Sequence, residues 1–179
     1  MRISGGDARG VRLRVPKGTR PASERVRQAL FSSIAARVPG SRVLDLFCGS
    51  GAYGLEALSR GADAATFIDN AAEAIATTKV NAKTAGYADV TSVRKADARA
   101  YLRRSSDTFD LVFADPPYAD DTNQELTEAI TARLNPGGTA VIEARKGSST
   151  VEPPEGCILE ADRRYGDTRV LVLRRGEDT

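Results

Sequence analysis

Arg42-Val43-Leu44-Asp45-Leu46-Phe47 runs without a break into Cys48-Gly49-Ser50-Gly51-Ala52-Tyr53-Gly54. A short apolar run closed by clustered glycines reads as a buried strand and a tight turn. A helix from about Tyr53 to Ser59 follows, so the stretch is the first half of a β-α-β unit. The rhythm repeats downstream. Residues 64–69 form a second strand before an Ala-rich helix over 71–85, and 90–93 a third before a short helix over 98–104. Residues 109–114 form a fourth strand, before a helix over 122–134. Asn135-Pro136-Gly137-Gly138 then turns into a strand over 139–143. Residues 158–165 and 169–173, joined at Gly166-Asp167, alternate as an antiparallel hairpin.

Upstream of the quoted stretch, Gly5-Gly6-Asp7 and the alternation Val11-Arg12-Leu13-Arg14-Val15 predict a small hairpin over residues 1–16. From Ser23 the period becomes helical, with Val26, Leu30 and Ile34 on one stripe ending near Pro39-Gly40. The expected fold is α/β: a mostly parallel seven-stranded sheet with helices on both faces, a C-terminal antiparallel hairpin and an N-terminal β-hairpin extension. Ligands of such sheets sit beyond the carboxyl ends of the strands.

Composition narrows the chemistry. The 179 residues include no histidine, which excludes His general bases, Ser-His and Cys-His nucleophile pairs and His-containing metal sites. Two cysteines, Cys48 and Cys157, are too few for a Cys-only zinc site, so no metal is expected. No apolar run is long enough to span a membrane, the first residues carry no leader pattern, and a cytoplasmic monomer is expected. Residues 1–42 hold ten basic and two acidic groups, a net charge of +8 that leaves −6 for residues 43–179. That division suggests a basic arm over 1–20 on a body over 21–179, with Arg2, Arg9, Arg12, Arg14, Lys17 and Arg20 either facing an anionic partner, nucleic acid first, or forming a solvated charged face, which charge alone does not separate.

Gly49, Gly51 and Gly54 satisfy the G-x-G-x-x-G spacing, and Asp69 ends the second strand twenty positions after Gly49. A carboxylate there can hold ribose hydroxyls, in a nicotinamide dinucleotide or an S-adenosylmethionine alike. Asp45 separates the two. A carboxylate just before the glycine loop repels a pyrophosphate and tolerates a cofactor bearing an amino group and a sulfonium. Asp97, after the third strand, can accept from an adenine amine or cap a helix. Asp115-Pro116-Pro117-Tyr118 follows the fourth strand. The prolines lack N–H groups, so the Asp115 carboxylate and the Pro116 carbonyl are two acceptors suited to an exocyclic amine, with the Tyr118 ring to stack on an extruded base.

These segments in this order resemble the Rossmann-like amino methyltransferases. The flanks, Arg2-Ile3-Ser4-Gly5-Gly6, Thr19-Arg20-Pro21, Arg25-Val26-Arg27-Gln28-Ala29-Leu30-Phe31 and Arg164-Tyr165-Gly166-Asp167-Thr168, resemble the bacterial RsmD-like family. The resemblance implies S-adenosylmethionine-dependent methylation of a guanine N2 amine in small-subunit (16S) ribosomal RNA, naked or within an assembly particle. It implies that Asp45, Phe47, Gly49, Ser50 and Gly51 shape the methionine end of the cofactor pocket, that Asp69 and Asn70 reach the ribose and adenine edge, and that Asp97 and Ala98 reach the adenine. Asp115, Pro116, Pro117 and Tyr118 would hold the base, with Asp115 also bordering the cofactor. Ser4 stands where the pattern has an apolar residue, and Ala22-Ser23-Glu24 also departs from it. The same tetrapeptide resembles adenine-N6 methyltransferases of DNA or RNA, so it does not choose the base. Two readings of other classes compete: an NAD-binding oxidoreductase, which Asp45 disfavours, and a non-catalytic RNA-binding module.

Overall fold

The computed structural model describes residues 1–19, 23–117 and 123–178. Strands β1 (Arg42–Leu46), β2 (Ala64–Asp69), β3 (Thr91–Lys95), β4 (Phe109–Ala114), β5 (Leu134–Arg145), β6 (Cys157–Tyr165) and β7 (Thr168–Arg175) form one sheet in the order β3-β2-β1-β4-β5-β7-β6. Strands β1 to β5 pair in parallel, while β7 runs antiparallel to both β5 and β6. The direction of winding reverses between β1 and β4, where an open α/β sheet leaves a crevice at its carboxyl edge.

Alternation along each strand sends side chains to two cores. On one face Val43, Phe67, Phe113 and Val141 pack with Leu30 and Phe31 of α1 (Glu24–Ser33), Leu55 and Leu58 of α2 (Ala52–Ser59) and Ala82 of α3 (Ala72–Ala85). On the other, Leu44, Ile68, Val112 and Ile142 pack with Tyr101 and Leu102 of α4 (Ala98–Arg104) and Leu126 and Ile130 of α5 (Gln124–Thr131). Among the described residues no helix is long and apolar enough to cross a membrane.

Two elements differ from the expectation. The Ser23 hydroxyl caps α1 as its N-terminal signal predicts, but the α-helix stops at Ser33 and a 3-10 turn, Ala35–Arg37, carries the chain onward. Strand β5 starts at Leu134 and absorbs Asn135-Pro136-Gly137-Gly138, because the register against β4 jumps from Phe109–Leu134 to Leu111–Thr139. The turn chemistry is spent on a bulge inside the strand.

Residues 1–13 close through one antiparallel bridge, Arg2 with Arg12, flanked by bonds from the Ile3 amide to Val11 (3.0 Å) and from the Leu13 amide to Met1 (2.9 Å). Ile3 and Leu13 enter the α1 core. Gly6, at φ 78°, presses on the end of α2 so closely that a Cβ would lie 1.8 Å from the Ser59 carbonyl oxygen. A buried polar knot secures this contact. Glu56 of α2 accepts from the Ser4 amide (2.9 Å), the Ser4 hydroxyl (2.6 Å) and Arg27 Nε (3.2 Å), and pairs with Arg60. Ser4, the departure from the family pattern, is therefore a hydrogen-bond donor to a buried carboxylate.

Candidate active site

The loop after β1 bends back on itself because Phe47 takes a left-handed φ of 56° and Gly49 one of 54°. The Cys48 amide bonds the Ile68 carbonyl (3.1 Å), and the Gly51 amide the Cys48 carbonyl (2.7 Å). At Gly54 a Cβ would come 2.4 Å from the Phe67 ring, so glycine lets α2 lie directly on β2. Asn81 of α3 holds the loop from outside: its amide nitrogen donates to the Ser50 carbonyl (2.8 Å) and to the Arg14 carbonyl (2.9 Å), while its oxygen accepts from the Arg14 amide (2.8 Å). One buried side chain therefore ties the glycine loop to the basic N-terminal segment.

Register sets out the carboxylates. Asp45 is level with Phe67 on one side and Phe113 on the other. Asp69 and Asp115 lie one pleat further on β2 and beyond β4, and Glu143 lies beside Asp115, one step past the pair Ala114–Ile142. Period-two alternation puts all four on the face of Val43, Phe67, Phe113 and Val141. They form an arc across the carboxyl ends of β2, β1, β4 and β5. Burial is the largest cause of the raised pKa values of Asp45, Asp115 and Glu143. The Asp45 carboxyl is pushed well above its usual range by burial and further by Asp115, Asp69 and Glu143, against one bond from the Gly54 amide (3.0 Å). Burial lifts Asp115 to about 6 and Glu143 to about 7. The Tyr53 hydroxyl donates to Glu143, and its ring stacks on Phe113 at 5.2 Å and 10°.

A cavity of about 1170 Å³ opens over this arc. It brings together Asp45, Phe47, Gly49, Ser50, Asp69, Asn70, Asp97, Ala98, Asp115, Pro116 and Pro117 as the sequence predicts. Gly51 instead lies behind the loop, facing Thr78 and Phe67, and starts α2 at φ 78°. Asp69 accepts from the Gly49 amide (3.0 Å) and the Ala71 amide (2.9 Å), and Asp97 caps α4 through the Ala100 amide (2.8 Å). Each carboxylate has further lone pairs for a ligand. Tyr118 and Arg20 lie outside the described residues. Arg2, Arg9, Arg12, Arg14 and Lys17 are exposed, and Met1, Val15, Gly18 and Thr19 of the same segment line the rim.

Sequence reasoning missed Tyr53, Glu143, Arg25, Arg145 and the β6–β7 turn Tyr165–Thr168 as cavity residues. Glu143 had one readable signal, a charge ending an apolar strand, which is also the position of Asp45. The site fits a ligand with cationic character. Carboxylates raised by burial gain from a positive group placed among them, whereas a pyrophosphate would add like charge. A ligand of S-adenosylmethionine type meets that requirement, and Asp69 and Asp97 line the same cavity.

Comparison with known proteins agrees. The family described as "Conserved hypothetical protein 95" matches residues 1–174. "Putative rRNA methyltransferase YlbH" of Bacillus subtilis is 32% identical over 98% of this chain and 99% of its own. "Ribosomal RNA small subunit methyltransferase D" of Escherichia coli is 40% identical over 66% of this chain and 60% of its own. The solved structure of "Putative methyltransferase yhhF" from Escherichia coli superposes with a TM-score of 0.88 at 31% identity, covering 99% of both chains.

Proposed function

The chain belongs to the conserved hypothetical protein 95 family of RsmD-like methyltransferases, and on that footing we propose that it methylates the N2 amine of a guanine in small-subunit ribosomal RNA. S-adenosylmethionine is the methyl donor. The single observation that carries the reading is the carboxylate arc across the carboxyl edge of the sheet, with Asp115-Pro116-Pro117 at the β1/β4 crevice.

The donor supplies a methyl group already activated by a positive sulfur. What remains for the chain is to position and desolvate the amine and to receive a proton. Asp115 and the Pro116 carbonyl accept the two N–H bonds and aim the nitrogen lone pair at the methyl carbon. The N–C bond would form as the methyl–sulfur bond breaks, leaving an uncharged thioether, and one N–H proton would pass to Asp115. No base tuned by histidine is needed. Asp45 serves the cationic end of the donor, Phe47, Gly49 and Ser50 the loop around it, Asp69 and Asn70 the ribose, and Asp97 with Ala98 the adenine. Tyr118 stacks on the flipped base. Residues 1–20 are the RNA-binding arm of a monomer that acts on RNA within a small-subunit or assembly particle.

Radiolabelled methyl transfer to naked small-subunit RNA, small subunits and DNA in parallel, followed by nucleoside identification, tests the proposal. N2-methylguanosine from the RNA arms is expected; label confined to DNA would overturn it.

A further inference from the structure

Resting on the guanine-N2 reading, we propose that Glu143 reads the target base, accepting the N1–H of guanine while Asp115 and the Pro116 carbonyl hold the N2 amine.

Glu143 is the residue of β5 beside Asp115 in the parallel ladder, one step past Ala114–Ile142. Neighbouring strands lie about 4.8 Å apart, and residues level with each other point to the same face. Both carboxylates line the cavity wall, from positions one step past the last paired residues of β4 and β5. Guanine offers a matching edge. Its N2 amine and its N1–H are adjacent donors, and two adjacent acceptors are what a pair of carboxylates provides. Adenine does not match, because the atom beside its N6 amine is an N1 lone pair, which a carboxylate repels. The Asp-Pro-Pro-Tyr tetrapeptide leaves the base open, and the next strand closes the choice.

Glu143 is held for such a task. It is buried, and the Tyr53 hydroxyl that donates to it belongs to a ring fixed flat against Phe113. A carboxylate has about four lone-pair sites, so it can accept from more than one donor at a time. Burial makes the contact selective, since an unmatched polar edge beside a buried carboxylate costs more than one in water.

The test compares the natural RNA substrate with the same RNA carrying 2-aminopurine at the target position. That base keeps the N2 amine but has an N1 lone pair in place of N1–H. The wild-type enzyme is expected to methylate guanine roughly 10- to 100-fold faster than 2-aminopurine, the worth of one hydrogen bond to a charged group. In Glu143→Ala the guanine rate should fall toward the 2-aminopurine rate. In Glu143→Gln, whose amide can donate to the N1 lone pair, the 2-aminopurine rate should rise and the ratio collapse further. Equal losses on both bases, or an unchanged ratio, would reduce Glu143 to a support for Tyr53 and overturn the proposal. Tyr53→Phe, which keeps the carboxylate, should preserve a preference for guanine; loss of preference there alone would also overturn it. Product analysis separates the two levels: N2-methylguanosine with an unchanged ratio sinks only the role of Glu143, whereas N6-methyladenosine from the wild type sinks the guanine reading itself.

Discussion

Two groups of buried charge sit against the same face of the sheet, and they are built on opposite plans. Around Glu56 every element brings a donor: Arg27 from α1, Arg60 one turn further on α2, Ser4 from the N-terminal segment. Around the cavity, β2, β1, β4 and β5 bring carboxylates to one another, and burial raises Asp45, Asp115 and Glu143. A buried charge with its donors in place locks elements together. A buried carboxylate whose pKa is pushed up by desolvation stores a preference for a cationic or proton-bearing ligand. Removing one partner from the first group should destabilise the fold, whereas neutralising a carboxylate of the second should not.

Breaking the first group should have the largest effect. Glu56→Ala leaves the Arg27 guanidinium buried without its carboxylate, a defect worth about 3–5 kcal/mol. At roughly 2–4 °C per kcal/mol for a chain of this size, thermal unfolding should move down by about 10 °C. A shift under 2 °C would mean that the knot is not what holds the N-terminal segment. The same kind of truncation in the second group should spare the fold. Asp115→Ala is expected to lower methyl transfer at least about 100-fold while leaving the melting temperature at pH 8 unchanged or higher. Loss of folding in step with activity would erase the distinction.

A smaller effect separates the groups by pH. Asp115 must be ionised to accept the amine, and its value in the ligand-free protein is about 6. With Glu143, raised to about 7, also needed as an acceptor, kcat/KM should level off only above about pH 8, fall as pH drops through 7, and steepen toward about a hundredfold per pH unit below 6. Stability should run the other way. Glu143 is raised from 4.5 to about 7, so its contribution is complete below 4.5 and is lost as pH rises through 7. The ligand-free protein should therefore melt higher at pH 5.5 than at pH 8, and Glu143→Gln should flatten that difference in a calorimetric scan. The smallest effect belongs to the arm. Replacing Arg9, Arg12, Arg14 and Lys17 by Ala should reduce the slope of log Kd against log salt by about 0.7–0.9 per lost phosphate contact. An unchanged slope would remove these residues from the RNA interface.

The second group was legible in the sequence and the first was not, for a physical reason. Asp45, Asp69 and Asp115 lie within two residues of the end of an apolar strand, and the α/β rule converts that local position into a place in space. Glu143 obeys the same rule but has no glycine or proline beside it to mark a turn, so it passed as the end of a strand. Arg27 and Glu56 lie 29 residues apart on different helices, and nothing local in either segment announces the pairing. The bulge in β5 shows the converse: Asn135-Pro136-Gly137-Gly138 carried a true turn signal, but only the register against β4 reveals that the strand contains it.

The contrast between the groups is tested most directly by counting protons. Calorimetric binding of S-adenosylmethionine and of S-adenosylhomocysteine, each in two buffers of different ionisation enthalpy at pH 6.5, gives the protons exchanged per ligand. If the arc accommodates a cation, the sulfonium ligand should release protons from the raised carboxylates, and the uncharged thioether should release fewer. Equal exchange for the two ligands, or none for the sulfonium, would contradict it.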